Sequence, residues 1–234
     1  MSSAAQKSVT EPSQGDARRF TAGRRPCFRP HLYLCVLVFH LAVTPTRLDA
    51  QTDLLRDCER HEAPAQAIRA CSAILRQIPN AAAIYNRRGV AYMQQGDLVR
   101  AIADYSEAIR LDGTDPWPHY NRGRALLDQS DWPRAVEDFT QSIIRRGHNA
   151  LAYNGRAGAY FKLAKLAEAL DDVNRAIAFD PNYAAALDTR GHIYEAMGRR
   201  PEAIADLRQA LRLEPTNPLA HVTREALMRL GAEP

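Results

Sequence analysis

The sequence predicts an all-α protein, an α-solenoid of antiparallel helix pairs. Three observations predict it: a motif that recurs every 34 residues, small residues at fixed positions of each copy, and turn-forming residues between copies. The motif reads RRGVAY at 87–92, NRGRAL at 121–126, GRAGAY at 155–160 and TRGHIY at 189–194. Such a period is typical of repeat architectures, in which each helical hairpin buries its apolar face on the next.

The composition is that of a soluble globular chain. Of 234 residues, 46% are hydrophobic and 25% are charged, which excludes a wholly disordered or multi-span membrane protein. The net charge is +4, but residues 1–50 carry seven basic and three acidic side chains, so the rest of the chain is neutral. The sequence pI of about 9.0 therefore does not indicate nucleic-acid binding.

Two segments precede the repeats. Residues 1–31, rich in Ser, Arg, Gly and Pro without periodicity, are predicted to be a disordered basic n-region. Residues 32–50 contain a 12-residue apolar run, too short to span a bilayer, and are predicted to be a signal-peptide h-region and cleavage region ending before Gln51. The alternative is a short buried or membrane-dipping helix. Membrane contact is expected only through this leader, before cleavage.

The chain has four cysteines. Cys27 and Cys35 fall in the leader, which leaves Cys58 and Cys71 in the mature body. An even pair in an oxidising compartment predicts a disulfide, whereas the alternative is two small buried thiols that never oxidise.

Small residues within each copy predict close helix packing. With repeats starting at residues 82, 116, 150 and 184, the eighth position is always Gly or Ala and the twentieth is always Ala. Small side chains let two helices approach, and larger apolar residues beside them fill the core. Pro133 and Pro201 suit the first turn of a second helix, and Gly96 and Gly198 mark the end of a first helix.

These residues resemble the tetratricopeptide repeat family over residues 82–217. The resemblance implies a right-handed superhelix with four regular repeats at 82–115, 116–149, 150–183 and 184–217. A degenerate repeat at 51–81, in register from residue 48, has Leu55 in place of the small residue, so its first helix is expected to pack differently. Residues 218–234 are predicted to form a C-terminal cap helix that covers the apolar edge of the last repeat.

The register places Cys58 and Cys71 at positions 11 and 24 of the degenerate repeat, on adjacent antiparallel helices. We expect a disulfide between them to stabilise the weakest hairpin of the array.

Position 7 is Arg and position 23 is Asp in all four regular repeats. A binding stripe is one interpretation, but helix geometry favours a scaffold of ion pairs between neighbouring repeats. The predicted pairs are Asp104 with Arg122, Asp138 with Arg156, Asp172 with Arg190, and Asp206 with Arg224 of the cap helix. Arg88, which has no acidic residue before it at the equivalent position, is expected to turn to Asp104.

The resemblance also implies a concave groove, lined by the first helices, in which family members hold a peptide. Its predicted wall is formed by Asn86, Arg87, Met93, Trp117, Tyr120, Asn121, Arg124, Asn154, Phe161, Lys162, Asp188 and His192. Asn side chains can pair with a peptide backbone, and exposed aromatic rings are typical anchors. The alternative is that the Asn residues favour helix starts and the aromatic residues pack locally. A carboxylate clamp is not expected, because Leu151 and Gly155 occupy its third-repeat positions.

The sequence has no hydrolase, phosphate-binding or dinucleotide-binding motif, and its histidines lack metal-ligand spacing. We therefore expect no enzyme activity, cofactor or metal. An RNA-reading helical repeat is not favoured, because the body is neutral and the period is strictly 34 residues.

The expected function is a non-catalytic scaffold that binds a protein or peptide partner and no nucleic acid. The expected location is the periplasm or the exterior of a bacterial cell. Two alternatives stay open: a cytosolic adaptor with an unprocessed N-terminal arm, and an accessory subunit of an envelope enzyme. The oligomeric state is not predicted.

Overall fold

A computed structural model of the chain describes residues 45–60, 62–218 and 220–233. The predicted n-region, the apolar run at 32–43, and both leader cysteines lie outside these residues. The first helix runs from Pro45 to Cys58, so the predicted cleavage junction before Gln51 falls inside it.

The described residues form eleven α-helices and no strand, which confirms the predicted fold class. The helices are α1 Pro45–Cys58, α2 Pro64–Gln77, α3 Ala82–Gln94, α4 Leu98–Leu111, α5 Pro116–Asp128, α6 Trp132–Arg145, α7 Ala150–Lys162, α8 Leu166–Phe179, α9 Ala184–Ala196, α10 Arg200–Leu213 and α11 Ala220–Arg229.

The helices pack as a linear array of hairpins. Each first helix packs on the second helix of its own repeat, and each second helix packs on the first helix of the next repeat. The first helices of successive repeats also contact each other, α3 with α5, α5 with α7 and α7 with α9, and so form the inner layer. The final helix, α11, packs on α10 and buries Ala226 and Leu227 against Leu207.

The core depends on a small residue of the first helix meeting a large one of the second. Tyr105, Phe139, Val173 and Leu207 occupy the same position of successive repeats and are fully buried. A Cβ at Gly89 would lie 2.6 Å from Tyr105 Cε1, and a Cβ at Gly191 would lie 2.7 Å from Leu207 Cγ. Distances this short explain why glycine stands at those two positions.

The turn inside each regular repeat contains one residue in the left-handed conformation. Gly96 and Gly198 adopt it at φ of 75° and 74°, as the sequence pattern suggests. In the other two repeats Ser130 (φ 64°) and Ala164 (φ 58°) adopt the same conformation, which is unfavourable for residues with a Cβ atom because that atom comes close to the following carbonyl oxygen. Turn geometry common to all four repeats overrides the local preference of these two residues.

The degenerate repeat comprises α1 and α2 and differs from the others at Leu55. That side chain is 42% exposed, so it does not occupy the tight position that glycine or alanine fills elsewhere. Cys58 and Cys71 are buried beside Ile74 and Ile84. The structure joins the two cysteines in a disulfide with a Cα–Cα distance of 4.9 Å, which links α1 to α2.

The Arg–Asp pairs form within each repeat, so the predicted pairing between repeats is wrong. Arg122, for example, donates from Nε and Nη2 to Asp138 Oδ2 and Oδ1 at 2.7 and 2.8 Å. Its Nη1 donates to Ser106 Oγ of the preceding repeat at 2.9 Å. The other pairs are Arg88 with Asp104, Arg156 with Asp172 and Arg190 with Asp206. Their Nη1 atoms contact Ser72, Thr140 and Asn174 respectively.

The cap-helix pair is also corrected, since Arg224 donates to the carbonyl of Pro215 at 3.0 Å instead of pairing with Asp206. Arg88 does turn to Asp104, as the sequence suggests for the first repeat. The guanidinium fork binds the carboxylate of its own hairpin, and its remaining nitrogen reaches the previous hairpin. Each arginine therefore connects three helices.

Candidate protein-binding groove

Aromatic side chains on α5 mark the centre of the inner layer. Trp117 is 38% exposed, and its ring lies edge-on to Tyr120 with centroids 5.9 Å apart. Tyr120 in turn lies 5.9 Å from Phe139, whose ring is fully buried. The guanidinium of Arg146 lies 5.7 Å from the Trp117 centroid. A chain of rings thus leads from the surface to the core, and the exposed end can contact a partner.

A cleft of about 440 Å³ lies beside these rings, between α5, α7 and α9. We call it the Gly158 cleft. It is lined by Tyr120, Arg124, Leu127, Asp128, Phe139, Leu151, Asn154, Gly155, Gly158, Tyr183 and Thr189. Three of the predicted groove residues, Tyr120, Arg124 and Asn154, meet in it.

The uncharged polar side chains of the Gly158 cleft are two phenols, the Asn154 amide and the Thr189 hydroxyl, which donates to the Ala185 carbonyl at 2.8 Å. Burial raises the pKa of Tyr120, and burial raises the pKa of Tyr183 to about 12, so both are uncharged hydrogen-bonding groups at neutral pH. The Asn154 side chain hydrogen-bonds the Tyr183 phenol, which opposes part of that rise in pKa, whereas its buried Oδ1 has no hydrogen-bond partner in the structure. A buried amide atom without a partner costs free energy unless a ligand or water satisfies it.

Two charges of opposite sign lie on the rim. Arg124 is exposed, 5.9 Å from the Tyr120 centroid, and no described carboxylate lies within ion-pair distance of it. Asp128, the last residue of α5, is exposed one helical turn later. The Gly158 cleft therefore presents aromatic walls, one unsatisfied amide oxygen and a cation that can receive a carboxylate.

Other predicted groove residues are engaged elsewhere within the repeats. Asn121 donates to Asn86 Oδ1 at 2.9 Å, so these two amides bind each other. Arg87 pairs with Glu59 at 2.8 Å. Met93 accepts a weak hydrogen bond from the Tyr105 hydroxyl at 3.8 Å. These side chains therefore already have partners within the array.

Towards the C-terminal end the remaining predicted residues also lie outside the cleft. Phe161 is half-buried against the core of α7 to α9, and Lys162 is exposed at the end of α7. Asp188 accepts a hydrogen bond from Thr223 of the cap helix at 2.7 Å. His192 Nδ1 lies 3.3 Å from Glu195 Oε2.

Sequence reasoning missed most of the cleft's apolar lining. Leu127, Leu151 and Gly158 occupy groove positions, but a search for polar and aromatic side chains passes over them. Tyr183 lies in the loop after α8, where helix numbering gives no orientation. The signal that does point to them is the pair of glycines at 155 and 158, which removes two side chains from one helix face.

Other chemistry is not evident in the part of the chain that the structure describes. It contains no cluster of three or more His, Cys, Asp and Glu side chains suited to a metal ion. None of its helices is both long enough and apolar enough to cross a membrane.

The fold and groove define a helical-repeat scaffold, a class of protein that binds other proteins and is generally non-catalytic. Family profiles described as TPR repeat and tetratricopeptide repeat match residues 89–130, 120–184 and 184–217. The chain belongs to the tetratricopeptide repeat family.

Solved structures of the same family are similar to this chain. MamA is 26% identical with a TM-score of 0.59, over 65% of this chain and 89% of MamA. A thermophilic TPR protein of Thermus thermophilus is 26% identical with a TM-score of 0.60, over 64% of this chain and 84% of its own. MamA of Desulfovibrio magneticus RS-1, at 19% identity and a TM-score of 0.64 over 73% and 96%, shares the fold alone. No curated protein sequence matches the chain significantly.

Proposed function

We propose that this protein is a non-catalytic scaffold that binds an extended segment of a protein partner in its inner groove, in the bacterial cell envelope. The observation that carries the proposal is the exposed Trp117 ring, which lies edge-on to Tyr120 beside the Gly158 cleft. An exposed aromatic ring next to an apolar cleft is typical of binding hot spots.

The envelope location is supported by the leader pattern and by the cysteines. Residues 32–43 have the length and apolar composition of an h-region. The two body cysteines lie within disulfide geometry, and a stable disulfide requires an oxidising compartment. A cytosolic adaptor is the competing proposal, and the intact mass of the protein from native cells distinguishes the two. A mass that starts near Gln51 with two non-alkylated cysteines supports export, whereas a full-length mass with free thiols refutes it.

Groove use is tested by affinity capture from native cells with wild-type protein and a Trp117→Ala, Tyr120→Ala double variant. A control variant truncates two exposed apolar side chains of the second helices, Val99→Ala and Ile144→Ala, which are 73% and 69% exposed. We expect the groove variant to lose the captured partner and the control to keep it.

Circular dichroism of both variants provides the folding reference. Unchanged helicity with lost capture assigns the rings to binding. Equal loss of folding in the groove variant would assign them to the core, and capture lost only in the control would place the partner on the outer layer.

A further inference from the structure

Gly158 lies in the middle of α7 without a packing reason to lack a side chain. A Cβ at this position would meet only Leu127 Cδ1, at an ordinary contact distance of 3.9 Å. Glycine inside a helix costs about 1 kcal/mol relative to alanine. Gly155 is different, because a Cβ there would lie 2.6 Å from Phe139 Cε1. Packing therefore explains Gly155 but not Gly158.

Gly158 keeps the cleft between α5, α7 and α9 open. It lines the cleft of about 440 Å³ together with Leu127 and Leu151. A larger side chain at 158 would project towards Leu127 and occupy that space. The free energy that the helix loses at this position is consistent with selection for an open cavity.

The walls of the cleft indicate the kind of group that fits. Three rings line it, of which Phe139 is fully buried while Tyr120 and Tyr183 are partly exposed, and the two tyrosine rings can pair with another ring. Asn154 hydrogen-bonds the Tyr183 phenol through its side chain, and its Oδ1, which has no partner, can accept a hydrogen bond from a peptide N–H. An aromatic side chain on an extended backbone satisfies both features.

The charges on the rim indicate which residues can stand next to that aromatic residue in the bound peptide. Arg124 lacks a described carboxylate partner and can form a charge-assisted hydrogen bond with one. Asp128 on the same helix repels a second carboxylate, so a run of acidic residues is disfavoured. One acidic residue next to the aromatic one complements this rim.

We propose that the Gly158 cleft is an anchor pocket for one aromatic side chain of an extended peptide, with a single adjacent carboxylate bound by Arg124. The inference rests on the proposed function, since it specifies which peptide the groove binds. It goes further, because it assigns the binding energy to one cavity and one cation.

The test is selection of random 12-residue phage-displayed peptides on the full-length wild-type chain, followed by fluorescence polarisation with the labelled peptides selected. We expect selected peptides to share one aromatic residue with one Asp or Glu beside it. Gly158→Leu is expected to weaken them at least about tenfold by filling the cavity. Gly158→Ala, which adds only one methyl group to the cavity, is expected to give a smaller loss than Gly158→Leu. Val99→Leu, an exposed position on α4 outside the cleft, is the control expected to leave the affinity unchanged.

The role of Arg124 is tested on the same peptides. Arg124→Gln is expected to weaken the acidic peptide about fivefold and to leave its Asn or Gln counterpart unchanged, because the coupling exists only when both charges are present. A thermal melt of Gly158→Leu checks that the variant is folded. If it is not, Leu127→Trp, which fills the cleft from α5, replaces it.

The outcomes separate this inference from the proposed function. Peptides that bind the wild type but are unaffected by either cavity-filling variant would leave groove binding in place and overturn the anchor pocket. Selected peptides without an aromatic residue would overturn it as well. Failure to select any peptide that binds the wild type would refute both proposals.

Discussion

Gly155→Ala and Gly158→Ala are expected to change stability in opposite directions, although the same atom is added to the same helix. At Gly155 the new Cβ would lie 2.6 Å from two atoms of the Phe139 ring. That ring cannot move away easily, because it belongs to a buried core cluster with Leu126 and Ala152. Phe139 is also fully buried. The substitution must therefore displace a large core side chain or the helix itself.

The expected magnitude follows from two opposing effects. Overpacking a core costs about 1–3 kcal/mol, and the close contact with a confined ring places this site near the upper end. Replacing glycine by alanine in a helix returns about 1 kcal/mol. The net loss at Gly155 is about 2 kcal/mol, whereas Gly158→Ala, which meets only Leu127 at 3.9 Å, gains up to about 1 kcal/mol. Because helix propensity is common to both, the difference of about 3 kcal/mol measures the packing contact alone.

Urea denaturation followed by far-UV circular dichroism measures both free energies of unfolding, with equal slopes required for the comparison. Because repeat arrays can unfold in more than one step, hydrogen exchange of the α7 amides gives a local check. If the two variants have equal free energies of unfolding, Phe139 does not confine this face of α7, and the packing argument fails.

Three further expectations concern other parts of the array. A double-mutant cycle on Arg122→Gln and Asp138→Asn should give a coupling free energy of about 3 kcal/mol, because the two side chains form an ion pair. A cycle on Arg122 and Asp104 should give almost no coupling. The reverse result would favour ion pairs between repeats. Burial opposes ionisation of Asp138, but hydrogen bonds from Arg122 and His119 outweigh it and lower the pKa of this carboxyl below 3.8. The ionised Asp138 therefore stabilises the fold above that pH, and this stabilisation is lost as the pH falls through the lowered pKa. Urea titrations of wild type and Asp138→Asn should converge there, and a constant difference would contradict this. Reducing the disulfide, which spans 13 residues, should cost about 3 kcal/mol, measured as the shift in urea midpoint with and without reductant; no shift would mean that it constrains nothing.

The fold was predictable because its signal is redundant. Four copies of one pattern report the same helix positions, so small residues such as Gly89 and Gly191 indicate close packing independently of each other. Local exceptions such as Ala164 in the left-handed conformation do not disturb the period. The Gly158 cleft was only partly predictable, because it occurs once and depends on residues that are small or apolar. Tyr183 is the clearest case, since its loop position has no periodicity to orient it.

The mistaken register of the charge pairs has a geometric cause. Positions 7 and 23 lie at equal distances on either side of the turn inside a repeat. Position 23 and position 7 of the next repeat likewise lie at about equal distances from the turn between the two repeats. Sequence symmetry therefore permits either pairing, and side-chain reach decides. Arginine has enough donors to satisfy its own Asp with two nitrogens while a third reaches the preceding repeat, as Arg156 does with Thr140.

This arrangement gives each arginine a second task, which is to couple neighbouring repeats. In an array where each repeat contacts only its neighbours, cooperative folding depends on such interfaces. Hydrogen bonds to Asp172 are the main cause of the raised pKa of Arg156, so the charge that makes the junction stays in place at any physiological pH. A lysine at this position would keep the charge but lose the planar fork that binds two carboxylate oxygens and a hydroxyl at once. The strict recurrence of arginine at position 7 in all four repeats follows from that geometry, and it requires no binding stripe on this face.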